Sequence, residues 1–339
     1  MSPYIKIYVE ILKSCGIEYK IILWDRAGCE EQGESLAVYK HRSDIKSGHL
    51  RKIIDFYGYV SFVKQYVISE DYDRLIVFGI PLSVYIASFL GKKYPYKYIF
   101  DIRDYSPVYP YFKGLCGEVI GKSFMTIISS NGFLRWLPDV PKYQMCHNYN
   151  DPESDVVYDD NKNSEKIIIA TIGSIRDYDV NKEVINVFSN DKRFLLRFIG
   201  EGPAVKRLSI YVIKNGINNV EFYGKYDKKD EQLLLRGSSI LNGMTGMDIN
   251  GRTLITNRLY LSLISSLPIM VTEGTYQAEC VIKYNIGIVL RNDESMKERV
   301  FVYMRNLDRK MYQNNLMRYK NHIFQDQNKF KERIKLFLK

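Results

Sequence analysis

A short turn that could hold a phosphate follows an apolar run in the second half of the chain. The segment GSIR at residues 173–176 comes directly after the run 166–172, and helical spacing resumes near Val180. If the run is a strand, Gly173 opens a turn that presents backbone N–H groups and the positive end of a helix dipole to an anion. Arg176 adds a planar cation suited to a diphosphate, and Lys182 adds a mobile charge. The same corner occurs in α/β proteins that bind no phosphate, so both interpretations stay open.

A second glycine turn follows the run 194–199. Gly200 and Gly202 match the first two glycines of the dinucleotide fingerprint GxGxxG, but Val205 replaces the third and Pro203 interrupts the pattern. A dinucleotide site is therefore not supported. A tight turn with proline at the first helical position explains these glycines equally well. Glu201 is a candidate contact to a hydroxyl-rich ligand.

Three more segments follow predicted strands or begin predicted helices, and all are expected at the same edge of the sheet. Lys225 and Tyr226 follow the run 220–223 and could face a nucleobase. Asn257 and Arg258 begin a helix. Thr275 follows the run 268–272. Each segment also fits an ordinary surface turn or helix start.

Candidate groups for proton transfer occur in the first half. Asp101 and Asp104 lie at the end of a predicted strand, where a carboxylate could orient or deprotonate a substrate hydroxyl. The alternative is an ion pair between Asp101 and Arg103. His147 could face the same ligand, or it could be a linker residue hydrogen-bonded to backbone.

Apolar runs that alternate with helical stretches must position these residues. This alternation predicts parallel sheets covered on both faces. The predicted strands are 19–24, 74–78, 96–101, 126–129, 166–172, 194–199, 220–223, 268–272 and 286–290. The result is an α/β fold of two doubly wound, Rossmann-like domains that face a cleft.

The polar, acidic segment 150–165 is the natural linker between the two domains. We expect a first domain at 1–150, a linker at 151–165 and a second domain at 166–320. A last helix is expected at 321–339, and the first helix is expected at residues 2–15.

The amino-acid composition limits the classes of protein and partner that the chain could represent. The 339 residues carry 49 Lys and Arg against 39 Asp and Glu, and 46% are hydrophobic, which excludes a disordered chain. Five scattered cysteines and four histidines form no metal-ligand spacing, so we expect no metal, no disulfide framework and a cytoplasmic location. Neither a secretion signal nor a membrane span is predicted, and no nucleic-acid module is recognised.

The order of the motifs resembles the donor half of GT-B glycosyltransferases. GSIR, FIGEGP, NVEFYGKY, NRLY and LPIMVTEGTYQAECVIKYNIGIVL carry the resemblance over residues 166–292. YIFDIRDYSP and MCHNYND extend it loosely into the first half. The most similar group is the family 4-like enzymes of bacterial capsule, exopolysaccharide and lipopolysaccharide assembly.

The resemblance implies that the domain at 166–320 binds a nucleotide-diphospho-sugar as donor, without a metal cofactor. It implies that the domain at 1–150 lies on the acceptor side, with Arg103 and His147 among its residues. A strand normally opens that domain in the family, whereas this sequence starts with the helix predicted at 2–15, so we expect either a start further upstream or a truncated member.

The resemblance also implies that Arg176 and Lys182 hold the diphosphate and that Gly200, Glu201 and Gly202 line the sugar and phosphate pocket. The remaining donor contacts that it implies are Lys225 and Tyr226 at the base, Asn257 and Arg258 beside the ribose and phosphates, and Thr275 in the same cleft. Cationic groups and helix N-termini would then stabilise the leaving diphosphate.

Two acidic positions of the family pattern are missing. Relatives carry a glutamate for the ribose hydroxyls where this chain has Leu261, and an earlier acidic residue would fall near Thr253. The function predicted is metal-independent, retaining transfer of a sugar to a lipid-linked or growing glycan in surface polysaccharide synthesis. The non-enzyme alternative is a degenerate GT-B subunit that scaffolds or activates a partner transferase. A nucleotide-sugar epimerase of the same fold is a third hypothesis.

Most of the surplus positive charge lies at the C-terminal end. Residues 296–339 hold 12 Lys and Arg against 4 Asp and Glu, which gives +8 of the total +10. Phe330, Ile334, Phe337 and Leu338 form an apolar stripe on the last helix. The resemblance implies that this helix packs back on the first domain through the stripe. The charged side of these helices could rest on anionic lipid, which would make the protein peripheral at the inner face of the membrane.

Overall fold

The computed structural model describes residues 3–29, 33, 35–43, 49–149, 166–291 and 293–339. The chain forms two compact units. Unit 1 comprises residues 1–129, 136–146 and 327–339, and unit 2 comprises residues 130–135 and 147–326. The predicted linker at 151–165 lies outside the described residues.

Unit 1 is built from short parallel strands with helices between them. Its strands are β1 (Ile21–Asp25), β2 (Leu36–Lys40), β3 (Leu75–Phe78), β4 (Tyr98–Ile102), β5 (Met125–Ile128) and β6 (Tyr143–Met145). Its helices are α1 (Pro3–Ser14), α2 (His49–Ser69), α3 (Ile80–Tyr85), α4 (Ala87–Lys93) and α5 (Lys113–Lys122). The described part of the chain therefore begins with a helix, as predicted.

The strands of unit 1 form two separate sheets. One has the order β3-β4-β5-β6, and the other consists of β1 and β2 alone. Every pairing in both sheets is parallel. The fully buried strands β4 and β5 carry apolar side chains on both faces, which is the pattern of a sheet covered by helices on each side.

Unit 2 contains one six-stranded parallel sheet. Its strands are β7 (Ile167–Ile172), β8 (Phe194–Ile199), β9 (Val220–Gly224), β10 (Ile240–Asn242), β11 (Ile269–Thr272) and β12 (Gly287–Leu290). Its helices are α6 (Tyr178–Phe188), α7 (Val205–Lys214), α8 (Glu231–Leu234), α9 (Ile249–Thr253), α10 (Asn257–Ile264), α11 (Tyr276–Tyr284), α12 (Met296–Arg305) and the first part of α13 (Arg309–Leu338).

The strand order of unit 2 fixes where a ligand can bind. The order is β12-β11-β10-β7-β8-β9, so the chain winds outward from β7 in one direction and from β10 in the other. The topological switch point lies between β7 and β10. In open parallel sheets a crevice forms there, outside the carboxyl ends of the strands.

The end of α13 belongs to unit 1. Phe330, Ile334 and Phe337 are buried in one cluster with Tyr8 of α1 and Ile99 of β4. The apolar stripe predicted on this helix therefore packs in the core of unit 1, while Lys329, Lys331 and Lys335 of the same helix are exposed. Within the described ranges, no helix is long and apolar enough to cross a membrane.

Candidate functional site

The loops after β7 and β8 lie close together at the carboxyl edge of the sheet in unit 2. The amide of Gly173 donates to the Ile199 carbonyl at 3.0 Å, and the amide of Ile175 donates to the Glu201 carbonyl at 3.0 Å. A Cβ on Gly200 would lie far inside van der Waals contact of the Gly173 carbonyl oxygen. This close approach of two backbones explains the glycine at 200 without a ligand.

Arg258 lies at the switch point itself. Its Nε donates to the carbonyl of Ile172, the last residue of β7, at 2.9 Å. Its Nη1 donates to the carbonyl of Asn242, the last residue of β10, at 3.3 Å, and its Nη2 donates to the Ser174 carbonyl at 3.3 Å. The guanidinium is thus held by backbone oxygens from both sides of the crevice.

The charge of Arg258 has no carboxylate beside it in the part of the chain that the structure describes. Burial lowers the pKa of its guanidinium to about 10, because a low dielectric penalises the charged form. Arg258 is half-buried, and charges withdrawn from water are normally paired or bound to an ion. The arrangement is therefore a cation that a bound anion would stabilise.

The N-terminus of α10 holds Arg258 in place. Thr256 caps the helix, and its hydroxyl donates to the Oε1 atom of Gln277 at 2.6 Å. Gln277 is buried, and its Nε2 donates to the Gly243 carbonyl at 2.9 Å. These bonds tie the start of α10 to the loop after β10.

Two residues of this framework escaped the sequence analysis. Asn242 is fully buried, donates to the Thr171 hydroxyl at 2.9 Å and accepts the Met244 amide at 3.0 Å. The only sequence signal for it is a polar residue at the end of the short apolar run 240–241. Gln277 gave no sequence signal, because its hydrogen-bond partners Thr256 and Gly243 lie 21 and 34 residues away.

The other predicted donor contacts surround the same strand ends. Arg176 is exposed, and its Nε donates to the Ser174 hydroxyl at 3.0 Å. Glu201, Lys225 and Asn257 are also exposed. These groups follow β7, β8 and β9 or begin α10.

Tyr226 joins the base-side segment to α8. Its hydroxyl donates to the Oε1 atom of Glu231 at 2.8 Å, and its phenol interacts electrostatically with Arg258. Burial raises the pKa of Tyr226, so this hydroxyl stays protonated and remains a hydrogen-bond donor. Tyr226 therefore interacts with both the Glu231 carboxylate and the Arg258 guanidinium.

Lys182, Thr275 and Gly202 are engaged in local structure. The Lys182 ammonium lies 5.0 Å from the ring centroid of Tyr211, on the face that α6 shares with α7. The buried hydroxyl of Thr275 caps α11 and donates to the Thr272 carbonyl at 2.7 Å. A Cβ on Gly202 would collide with the Ile175 backbone, so packing alone requires this glycine.

The N-terminus of α6 is already capped by an acid. The helix begins at Tyr178, slightly before the predicted Val180, and the Asp177 carboxylate accepts the Val180 amide at 3.1 Å. A carboxylate at this end meets the positive pole of the helix dipole. This leaves less of that pole for a phosphate than the sequence analysis assumed.

The position where the resemblance expects a ribose-binding glutamate lies in the core. Leu261 is 9% exposed and packs in a cluster with Leu241, Tyr260 and Ile269. Thr253, near the other missing acid, is buried, and its hydroxyl donates to the Ile249 carbonyl at 2.7 Å. Neither position presents a polar group to a ligand.

In unit 1 the structure places Asp101 in an ion pair, which is the alternative to its predicted role as a base. The carboxylate is fully buried inside β4, accepts the Tyr8 hydroxyl at 2.6 Å and pairs with Arg103 at 2.5 and 2.7 Å. Arg103 also donates to the Cys146 carbonyl at 3.1 Å, and its side chain is 8% exposed. The ion-pair alternative therefore describes Asp101 and Arg103, while Asp104 is exposed.

His147 is also engaged in packing. It is buried in unit 2, with Nδ1 2.9 Å from the Tyr260 hydroxyl and Nε2 3.2 Å from the Asp326 carboxylate. Both of these partners are side chains of unit 2. Among the described residues, no three His, Cys, Asp or Glu side chains come together as a metal site.

The sequence matches no protein-family model and no curated protein. Solved structures match nearly the whole chain at low identity. Sucrose-phosphate synthase from Thermosynechococcus elongatus superposes with a TM-score of 0.69 at 10% identity, over 98% of this chain and 88% of that chain. The chain has the GT-B fold.

Two further solved structures are similar over nearly the whole chain. Anabaena HepE in complex with UDP has a TM-score of 0.66 at 11% identity, over 93% of this chain and 99% of that chain. The lipopolysaccharide outer core galactosyltransferase WaaB, in its apo form, has a TM-score of 0.65 at 14% identity, over 97% of this chain and 92% of that chain. The fold that the motifs predicted is confirmed, and the family 4-like group stays a prediction.

Proposed function

We propose that the chain is a glycosyltransferase that binds a nucleotide-diphospho-sugar at the switch point of unit 2. The observation that carries the proposal is Arg258, whose guanidinium is held by the Ile172 and Asn242 carbonyls and faces no described carboxylate. A diphosphate supplies the negative charge that this site needs. Arginine is suited to it because its planar fork binds phosphate oxygens in pairs.

The same contact would assist sugar transfer. When the bond between the sugar and the diphosphate breaks, negative charge grows on the leaving phosphate. A fixed cation at that oxygen stabilises the transition state more than the ground state, which is how electrostatic groups accelerate a reaction. Arg176, which is exposed in the loop after β7, would be the second cation on the leaving group.

The remaining donor contacts follow from the loops at this edge. Lys225 and Tyr226 follow β9 and would meet the nucleobase. Asn257 at the start of α10 would lie beside the ribose, and Glu201 would accept hydroxyl groups of the sugar. The complexes of HepE with UDP and with UDP-glucose favour this kind of donor.

For the acceptor we propose a lipid-linked or growing glycan of a bacterial surface polysaccharide. The structural similarity to WaaG, a glycosyltransferase involved in lipopolysaccharide biosynthesis, and to the lipopolysaccharide outer core galactosyltransferase WaaB favours this class. The exposed lysines on the last turns of α13 would hold the protein at the anionic inner face of the cytoplasmic membrane. Retention of configuration and independence from a metal are part of the same proposal.

Calorimetric titration with UDP-, GDP- and ADP-sugars tests the donor site. We expect one nucleotide class to bind to the intact chain in metal-free buffer. A mass-spectrometric assay with a lipid-linked acceptor then tests transfer. Binding of none of the three classes would contradict the proposal.

Leu261 favours a second candidate function. Because this position is apolar core instead of a ribose-binding carboxylate, the chain could be a GT-B subunit that activates a partner transferase. The two functions differ in one observable. If the chain is an enzyme, it turns over its donor without a second protein. If it is an activating subunit, it has no turnover of its own and raises the turnover of a partner transferase.

A further inference from the structure

The loop between β9 and α8 carries a carboxylate at the edge of the sheet where Arg258 lies. β9 ends at Gly224, and α8 begins at Glu231. Every strand of unit 2 is parallel to its neighbours, so this loop lies at the same carboxyl edge as the loops after β7 and β10. Glu231 therefore lies at the edge that borders the ligand crevice of such a sheet.

A tyrosine, and not a cation, holds the Glu231 carboxylate. The side chain is half-buried, and its Oε1 atom accepts the Tyr226 hydroxyl at 2.8 Å. In the part of the chain that the structure describes, the neighbouring Lys228 and Lys229 form no ion pair with it, and Lys229 lies 3.9 Å from Asp227 instead. An ionised carboxylate accepts about four hydrogen bonds, so Glu231 keeps most of its capacity as an acceptor.

Tyr226 connects Glu231 to the phosphate end of the proposed site. Its side chain packs against the core cluster that contains Ile172 and Ile199, the last residues of β7 and β8. Its phenol interacts electrostatically with Arg258, which donates its own hydrogen bonds to backbone carbonyls. In a nucleoside diphosphate the ribose separates the base from the phosphates. With the diphosphate at Arg258, the base would therefore lie near Tyr226 and Glu231.

The nucleobases differ in the donors that they offer to a carboxylate. Guanine presents an N1–H and a 2-amino group side by side, so it donates two parallel hydrogen bonds to the two oxygens of one carboxylate. Uracil presents one N–H between two carbonyl oxygens, which repel a carboxylate. Adenine and cytosine present one amino group beside a ring nitrogen that is an acceptor. A carboxylate at the base therefore selects guanine, because every other base leaves it partly unpaired.

We propose that Glu231 binds the guanine base of the donor, so that the transferred sugar comes from a guanosine diphosphate. This inference rests on the proposed function, because it takes Arg258 as the site of the diphosphate. Tyr226 is a positioning residue. Its hydroxyl orients the Glu231 carboxylate, and each carboxylate oxygen still has room to accept a hydrogen bond from the base.

Calorimetric titration of the intact chain with GDP, inosine diphosphate, UDP and ADP tests the proposal without any substitution. Inosine diphosphate is GDP without the 2-amino group, so it loses one of the two hydrogen bonds to Glu231. We expect it to bind about tenfold more weakly than GDP. UDP and ADP should bind about 100-fold more weakly than GDP.

Glu231→Gln tests the residue itself. A glutamine amide donates one hydrogen bond and accepts another, which suits xanthine, whose 2-oxo group replaces the amino group of guanine. The variant should lose about 10- to 100-fold in GDP affinity, gain affinity for xanthosine diphosphate and keep its affinity for UDP and ADP. Glu294→Gln removes an exposed carboxylate that follows β12, at the other end of the sheet, and should leave every affinity unchanged.

Three outcomes would contradict these expectations in different ways. Tighter binding of UDP or ADP than of GDP by the original chain would overturn the guanine assignment and leave the proposed function intact. Equal losses for GDP, UDP and ADP in Glu231→Gln would also overturn it, because Glu231 would then act on the ribose or phosphates that all three share. If none of the nucleotides binds, the proposed function is contradicted and the guanine contact falls with it.

Discussion

Gly200 can have no side chain because the Gly173 carbonyl oxygen occupies the place of its Cβ. Its φ of 128° is also a conformation that other residues rarely adopt. Gly200→Ala must therefore push apart the loops after β7 and β8. We expect unit 2 to lose about 3 kcal/mol or more of its unfolding free energy, measured by hydrogen exchange at β7 and β8.

Gly216→Ala is the matched control. Gly216 has a φ of 61°, but nothing lies within 4 Å of the place of its Cβ. The expected loss is about 1 kcal/mol, from backbone strain alone. Equal losses in the two variants would show that the loops tolerate a wider separation.

The buried group of Tyr8, Asp101 and Arg103 predicts a difference between two variants of unit 1. Asp101→Asn leaves the Arg103 cation without its carboxylate and should cost about 3–5 kcal/mol. Tyr8→Phe removes one hydrogen bond to Asp101 and should cost about 1–3 kcal/mol. Both tryptophans, Trp24 and Trp136, lie in unit 1, so their emission during urea unfolding reports this unit.

Exposed Asp73→Asn of unit 1 is the control for charge and should change stability little. Nucleotide binding by unit 2 should survive in all three variants. If Asp101→Asn folded as stably as the original chain and lost only transfer activity, Asp101 would be a catalytic residue after all.

Most of the fold follows from the periodicity of apolar runs. The run 194–199 became β8 with the predicted bounds, and the other predicted strands differ by a few residues at their ends. The strands β6 and β10 were missed because three residues are too few to show a period of two. β2, with the sequence LAVYK, was missed although its pattern is partly alternating.

The candidate site was less predictable, since its key bonds join residues distant in sequence. Arg258 was selected from a helix start, but its importance comes from carbonyls 86 and 16 residues away. Asp101 shows the opposite case. A carboxylate at a strand end looks accessible in sequence, and only the packing of α1 and its Tyr8 shows that it is enclosed.

Acid should weaken unit 2 through Asp191. Hydrogen bonds from Arg193, and then the charges of Arg193 and Lys297, hold the pKa of Asp191 well below its usual 3.8. A lowered pKa in the folded state stabilises the fold above about pH 4, and this contribution is lost as the pH falls further. In pH-dependent unfolding, Asp191→Asn should therefore be less stable at pH 7 and approach the original chain below about pH 4.

The control for this experiment is Asp227→Asn, whose side chain is 76% exposed. It should leave the pH profile unchanged. A constant difference between Asp191→Asn and the original chain from pH 7 to pH 2 would show that the ion pair does not contribute through its charge.

The exposed lysines of α13 should determine binding to anionic vesicles. Each lysine near such a surface contributes about 1 kcal/mol, so replacing Lys329, Lys331 and Lys335 by glutamine should weaken binding by about a hundredfold. Co-sedimentation with phosphatidylserine vesicles measures the loss. Replacing the exposed Lys192, Lys206 and Lys214 of unit 2 is the matched control, and equal losses in the two triple variants would contradict a specific role for α13.

Binding of a nucleoside diphosphate at Arg258 is the basis of the proposed function, and calorimetric titration of UDP, GDP and ADP measures it. Arg258→Gln should weaken the preferred nucleotide by about 10- to 100-fold, since a charge-assisted hydrogen bond contributes about 1.5–3 kcal/mol. Arg318→Gln removes an exposed charge from α13 and should leave the affinity unchanged. Nucleotide binding that is equally tight in the original chain and in folded Arg258→Gln would contradict the assignment of this site.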